Sequence, residues 1–169
     1  MAEAPSFAIW AVKDPNSGNL DRVQVIKVWE KDGKQKEKVF DVVWSGQRKL
    51  RHGKLPPVGN TVDLKSGRYA NSIGSVELKT VWKDSDFKSH RFAAYYVRVL
   101  EIPTARWSTL LAIEHGLPLA KDVPATIQQR CGLRRFGTRL RKSDKPKWSV
   151  PPQSPGEDDA IDGLRHPLW

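Results

Sequence analysis

The run from His90 to Pro103, HRFAAYYVRVLEIP, constrains the fold of this chain more than any other segment. It is rich in aromatic and β-branched residues, contains no glycine and has a proline only at its end, which predicts a β-strand. Both of its alternating faces are mostly apolar, with Arg98 interrupting one of them. A strand with two apolar faces is covered on both sides, so the pattern favours a strand in the middle of a β-sandwich.

Several other segments have strand patterns that could pair with this run or pack over it. The Asp32-Gly33 pair predicts a tight hairpin turn between two of them. The last of them also allows a helix, because Ile73, Val76 and Leu78 could share one helical face. The predicted strands are Phe7–Val12, Asp21–Trp29, Lys36–Ser45 and Ser75–Trp82, with a long surface loop over Gly46–Ala70 in which Asn60–Leu64 could form a short edge strand.

After Pro103 the strand periodicity stops. Trp107–Gly116 predicts a short helix with Ser108 as its N-cap, and Ala125–Arg130 could begin a second one. From about residue 132 onward the chain lacks any apolar period, which predicts disorder. The predicted fold is therefore mainly β: sandwich-like antiparallel sheets of five or six strands, with one or two short helices and a disordered C-terminal tail. The predicted organisation is a β-rich domain over residues 1–130 and a basic, then Pro- and acid-rich, tail over residues 131–169.

The chain carries a formal net charge of +10, from 29 Lys and Arg against 19 Asp and Glu. The excess is densest between Arg130 and Lys147, where eight basic residues accompany a single acid, Asp144. Phe136 and Trp148 are interspersed with these basic residues. Such segments can bind phosphate backbones without reading sequence, so residues 130–148 predict a nucleic-acid contact as one of two functional alternatives.

Other features of the sequence restrict the environment of the protein. Cys131 is the only cysteine, which excludes an internal disulfide framework. No apolar run approaches the ~20 residues that a membrane helix requires. The first fifteen residues have acids where a signal peptide has basic residues, and a proline and a lysine where its apolar region would lie. We expect a soluble, unexported chain without a membrane partner, cytoplasmic by default.

No catalytic or metal-binding constellation is evident in the sequence. Asp84 and Asp86 could bind a hard cation through their oxygens, but no calcium-type loop surrounds them, and a turn explains them equally well. Ser45 lacks the motif of a nucleophile elbow. The histidines lack zinc-site spacing; they are His52, His90, His115 and His166. The sequence predicts no catalytic residue, no metal ligand and no cofactor in this chain, and it leaves the ligand-binding residues open.

Two arginines could act either in binding or in structure. Arg98 lies on an apolar strand face, where an unpaired charge is costly, so we expect a partner on another element. A structural pair and a ligand contact both satisfy this expectation. Arg106, followed by Trp107, could bind an anion or stack on a ligand, or the pair could anchor its loop to the core.

Five segments resemble the C-terminal part of a bacterial protein family, the domain-of-unknown-function family 3604. They are PSFAIWAVKDPNSGNLDRVQVIKVW, KVFDVVWSG, KLPPVGNTVD, YANSIGSVEL and HRFAAYYVRVLEIPTARWST, and the resemblance extends from Ala4 to about Arg130. Members of this family are several times longer than this chain. Their N-terminal part is similar to PHP-type (polymerase and histidinol phosphatase) metallohydrolases with metal-binding motifs that begin GDLHxH, and no residue of this chain matches those motifs.

The resemblance implies that this chain is a non-catalytic accessory fragment whose partner in full-length relatives is a PHP-like barrel. Any divalent metal and any hydrolytic activity would belong to that N-terminal part. The family pattern breaks after Arg130, where relatives continue with an ending similar to AWTSPIWYTP. Codons for Arg134–Arg139 can encode the PIWY of that ending in another frame. We therefore hypothesise that residues 131–169 are out-of-frame translation, which the coding DNA sequence would test.

Overall fold

The computed structural model of the protein describes residues 3–132 and 136–137. The elements alternate between two antiparallel sheets, with a single helix among the described residues. In chain order they are β1 Ser6–Val12, β2 Leu20–Lys31, β3 Lys34–Trp44, β4 Glu77–Lys83, β5 Ala93–Ala105, α1 Trp107–Glu114, β6 Thr126–Gly132 and β7 Phe136–Gly137.

The larger sheet has the strand order β3-β2-β5-β6, and β7 also pairs with β5. The smaller sheet consists of β1 and β4, which pair from Ser6↔Lys83 to Val12↔Glu77. The strand predicted from His90–Pro103 is therefore central: β5 has β2 on one side and both β6 and β7 on the other. Its pairing is long because β5 runs for 13 residues.

The hairpin between β2 and β3 has the turn that its sequence predicts. Asp32 and Gly33 have φ values of 55° and 70°, the left-handed conformation that a two-residue type I′ turn requires at both positions. Lys31 faces Lys34 across this turn, and the register continues without a shift down to Gln24↔Asp41. The turn thus determines which residues of β2 and β3 lie opposite each other.

The hydrophobic core lies between the two sheets. The larger sheet contributes Val23, Val25 and Val97, and the smaller sheet covers them with Ile9 and Leu78. Aromatic rings extend this layer at one end: the Phe7 ring lies 5.9 Å from Trp82 and 5.2 Å from Tyr95, measured between ring centroids. The mainly β, sandwich-like arrangement with one short helix confirms the predicted fold class.

Some local predictions are wrong. The possible second helix at Ala125–Arg130 is strand β6, because this segment pairs with the free edge of β5, with Arg130 opposite Leu100. Asn60–Leu64 makes only an isolated bridge, Val62↔Tyr69, rather than a strand. The strand predicted at Ser75–Trp82 is confirmed and its helical alternative is excluded, since most of that segment lies in β4.

The helix begins earlier than its sequence suggests. Arg106, rather than Ser108, is the N-cap residue, and its side chain makes no capping hydrogen bond. Buried Thr109 fixes the helix against the chain that follows, because its hydroxyl donates to the carbonyl of Ala125 at 2.8 Å. No helix within residues 3–132 is long and apolar enough to cross a membrane.

The structure describes only a small part of the predicted disordered tail. Phe136 and Gly137 fall within it and pair with Tyr95 and Ala94 of β5. Residues 133–135 and 138–169, on which the rest of that prediction falls, lie outside the described residues. The strongly basic stretch up to residue 148 is therefore mostly outside them as well.

Candidate functional site

Two lysines lie opposite each other on neighbouring strands at one end of the sandwich, and one of them is buried. Lys27 of β2 lies directly opposite Lys38 of β3, and on its other side it lies opposite Tyr95 of β5. Lys27 is only 5% exposed. Like charges directly opposite each other on neighbouring strands repel, so this row needs negative charge supplied from elsewhere in the chain.

The segment after β4 supplies that charge. Asp84, whose side chain is fully buried, accepts a hydrogen bond from the Lys27 ammonium at 2.5 Å and from the Tyr95 hydroxyl at 2.6 Å. Asp86 pairs with Lys38, and its backbone carbonyl accepts from Lys27 at 2.9 Å. The two carboxylates proposed from sequence as either cation ligands or turn residues thus neutralise two lysines, one on each strand of the β2–β3 hairpin.

This arrangement is suited to binding charge rather than to catalysis. Burial and the hydrogen bond to Asp84 raise the pKa of the Tyr95 hydroxyl, so the phenol stays neutral and acts as a donor. The Asp84 carboxylate already accepts from Lys27, Tyr95 and the Asp86 amide. Its charge is committed to the protein's own donors, which makes it a poor general base.

A basic pocket adjoins this cluster. Its volume is about 450 Å³, and it lies between the ends of β2 and β3 and the loop that follows Asp84. Lys27 and Lys38 line it together with Trp29, Phe87, Lys88 and Arg91. The indole Nε1 of Trp29 is buried and has no hydrogen-bond partner.

A second polar cluster lies where β2, β3, β5 and β6 meet. Asp21 is fully buried and accepts hydrogen bonds from Arg48 at 2.6 Å, from Arg22 at 2.9 Å and from Gln128 at 2.9 Å. Every charge here has a partner, and the contacts join the long loop to the sheet. We interpret this cluster as structural.

Arg98 confirms the prediction that its partner lies on another element. Both its Nε and its Nη2 donate to the side-chain carbonyl of Gln24 on β2, at 3.0 and 2.8 Å. Gln24 in turn donates to Asp41 of β3 at 2.8 Å. The neutral side-chain amide of Gln24 therefore links the Arg98 guanidinium to the Asp41 carboxylate.

An open cleft of about 740 Å³ lies on the opposite side of the sandwich from the β2–β3 hairpin. It separates β1 from the β5–β6 edge, with Tyr69 and Leu110 also lining it. Its clearest polar contact is internal: the Ser17 hydroxyl donates to Glu101 at 2.6 Å. No unpaired buried group points to a ligand there within the described part of the chain.

The outer face of the β1–β4 sheet is unusually apolar for an exposed surface. Trp10 and Val81 are 72% and 75% exposed, and Val12 and Ala8 share their face. Glu77 and Lys79 form an ion pair at 3.0 Å beside Trp10. The Lys79 contact is the main cause that lowers the pKa of Glu77. We call Ala8, Trp10, Val12 and Val81 the outer apolar face.

The other candidate residues from the sequence do not form a common site in the part of the chain that the structure describes. Ser45 is buried, and its hydroxyl oxygen accepts a hydrogen bond from Arg48 at 3.3 Å, which is a structural contact. Trp107 is 71% exposed, which excludes the alternative that it anchors its loop to the core. Residues 3–132 and 136–137 contain no group of three or more His, Cys, Asp or Glu side chains that could hold a metal ion. His166 lies outside the described residues.

Sequence reasoning missed the cluster around Lys27. A usable indication existed, because the two-residue Asp32-Gly33 turn fixes the hairpin register and places Lys27 opposite Lys38. A lysine on an otherwise apolar strand face then demands an anion from another element. Nothing in the sequence identifies Asp84 as that anion, since the two residues are 57 positions apart.

Comparison with known proteins gives one match. The family model described as "Protein of unknown function (DUF3604)" matches residues 1–132, which is most of the chain and includes β1 to β6. Neither the curated proteins nor the solved structures contain a significant match to this chain. The match covers the smaller sheet, the larger sheet except β7, the outer apolar face and the basic pocket, and it ends with β6. This chain therefore belongs to the DUF3604 family.

Proposed function

We propose that this chain is a non-catalytic accessory β-domain, and that in longer relatives it packs against a PHP-like metallohydrolase barrel. The observation that carries the proposal is the outer apolar face. Contiguous exposed apolar side chains on one side of a sheet mark interaction surfaces, whereas single exposed apolar residues are ordinary.

The position of this face in the chain favours a partner domain in the same polypeptide. Trp10 and Val12 lie on β1, which begins at Ser6. A domain that precedes β1 in a longer relative is tethered within a few residues of this face. Its effective concentration there is high, so even a weak contact would be occupied.

The charges around the face restrict the chemistry of that partner. Lys83 of β4 lies on the same face as Val81, opposite Ser6 at the start of β1. Its ammonium pairs with the Glu3 carboxylate at 3.0 Å. Lys79 lies opposite Trp10 and pairs with Glu77. A complementary surface would be apolar at its centre, with polar groups at its rim that can replace these exposed pairs.

The experiment is calorimetric titration of this chain with the separately expressed N-terminal part of a longer DUF3604 relative. Trp10→Ser should weaken binding by at least tenfold, because exposed tryptophans at interface centres carry much of the binding energy. Trp107→Ser is the matched control, since Trp107 is as exposed as Trp10 but lies on α1. Equal affinities for the two variants, or no binding by the unmodified chain, would contradict the proposal.

The alternative function is non-specific binding of nucleic acid through residues 130–148, favoured by the eight basic residues between Arg130 and Lys147. Truncation after Arg130 is a poor test because it would remove part of β6 and all of β7. Replacing the lysines and arginines of residues 139–147 by glutamine leaves both strands intact. Binding of a single-stranded oligonucleotide should then lose its steep salt dependence.

A further inference from the structure

The basic pocket has more positive charge than its own acids can neutralise. Lys27 and Lys38 are paired with Asp84 and Asp86. Lys88 and Arg91 line the same pocket, and neither forms an ion pair with any residue that the structure describes. The pocket and its immediate surroundings therefore have an excess of two positive charges.

Arg91 makes this excess significant. Arg91 is only partly exposed, whereas Lys88, which lines the same pocket, is exposed. A guanidinium that is partly removed from water loses hydration that only an anion or hydrogen-bond acceptors can replace. Its planar, forked set of donors is suited to two oxygens of one oxyanion.

The Trp29 indole provides an independent observation. Its Nε1–H is buried and lacks an acceptor, and it is the one such side-chain atom among the described residues. Buried polar groups are almost always hydrogen-bonded in folded proteins, so an unpaired donor requires an explanation. Trp29 lines the pocket that Arg91 lines. A single oxyanion in this pocket would supply the counter-charge for the guanidinium, and it would supply the acceptor for the indole once the Trp29 side chain turns its Nε1–H toward the pocket.

We propose that the basic pocket binds the phosphate group of a small phosphomonoester. A phosphate carries nearly two negative charges at neutral pH, which matches the excess of two positive charges, whereas a carboxylate carries one. The volume of about 450 Å³ lies in the range of small-molecule sites and exceeds what a bare phosphate fills. The aromatic ring of Phe87 is available to contact the organic part of the ligand.

The site is independent of the outer apolar face. It is built by β2, β3 and the loop between β4 and β5, whereas the outer apolar face belongs to β1 and β4. Loss of the accessory-domain interaction would therefore leave phosphate binding unchanged. The two proposals can fail separately.

The experiment follows the indole N–H resonances of the isotope-labelled chain by NMR during titration with inorganic phosphate at constant ionic strength. Trp29→Phe identifies the Trp29 resonance among those of the seven tryptophans. That resonance should move saturably, because a new hydrogen bond to the indole changes its chemical shift. Arg91→Gln and Lys88→Gln should each weaken binding, Arg91→Gln by about tenfold. Lys79→Gln is the control, since that side chain is 76% exposed on another sheet.

A parallel titration with phenyl phosphate distinguishes the two sources of the phosphate group. Tighter binding of phenyl phosphate supports a phosphomonoester with an organic part against Phe87. Equal binding of the two probes would overturn that part of the proposal and limit the site to free phosphate. A Trp29 resonance that does not move with either probe, or that moves equally in Arg91→Gln and in Lys79→Gln, overturns the proposal altogether.

Discussion

Replacing Lys27 by methionine tests how the buried charges stabilise this fold. The substitution keeps the apolar stem of the side chain but removes the ammonium, which contacts the Asp84 carboxylate at 2.5 Å and the Asp86 carbonyl at 2.9 Å. The paired side chains are 7% and 0% exposed, so water cannot replace the lost cation. Removing one partner of a buried ion pair costs ~3–5 kcal/mol because the other charge remains unpaired. That is a large part of the ~5–15 kcal/mol that stabilises a domain.

The measurement is urea denaturation followed by circular dichroism. Lys27→Met should lower the midpoint with an unchanged m-value, since the folded surface stays the same. Adding Asp84→Asn to Lys27→Met removes the orphaned charge while keeping an acceptor for the Tyr95 hydroxyl. The double variant should therefore be more stable than Lys27→Met alone, with a loss of about 1–2 kcal/mol from the unmodified chain.

Lys38→Met is the matched control for this prediction. Lys38 lies directly opposite Lys27 and pairs with Asp86, but both side chains of that pair are about half exposed, at 49% and 50%. Solvent screening makes exposed pairs weak, so this variant should unfold close to the unmodified chain. Equal losses for Lys27→Met and Lys38→Met, or strictly additive costs in the double variant, would refute the assigned role of the buried pair.

Two further predictions concern the core. Gly74→Ala should destabilise the fold by at least ~2 kcal/mol, because φ is +81° and an added Cβ would lie 2.6 Å from the Cβ of Asn19. Gly46→Ala is the control, since Gly46 has a similar φ of +71° but open space around it. This control should cost less stability in the same urea assay. Tyr95→Phe should flatten the alkaline arm of the stability profile: the folded pKa of Tyr95 is raised, so its contribution is complete below the unfolded pKa of about 10 and is lost as pH rises above it. A profile between roughly pH 9 and 11 that is unchanged in this variant would contradict the prediction.

The strands were predictable where period and turn chemistry agree. Asp32-Gly33 marks the β2–β3 hairpin, and the run with two mostly apolar faces predicts β5 as a central strand. The possible helix at Ala125–Arg130 was wrong because a short polar segment has no period of its own. It becomes a strand only because the edge of β5 offers unpaired backbone groups. Local sequence does not contain that information.

The candidate sites were likewise predictable only in part, because local sequence does not determine which residues tertiary pairing brings together. The need of Arg98 for a partner was evident from its apolar strand face, but the partner, Gln24, depends on the β2–β5 register. The basic pocket combines β2, β3 and a loop about 60 residues further along the chain, so only the tertiary structure brings these cations together. The outer apolar face is likewise hidden in the sequence, since Trp10 and Val81 belong to strands whose pairing is not local.

The most direct test of the accessory-domain account is hydroxyl-radical footprinting of this chain with and without the N-terminal part of a longer DUF3604 relative. Oxidation of an exposed side chain slows when a partner covers it, and Trp10 and Trp107 begin almost equally exposed. We predict that the partner slows oxidation of Trp10 several-fold and leaves Trp107 unchanged. Unchanged oxidation of Trp10 in a mixture that forms a complex would contradict the central claim.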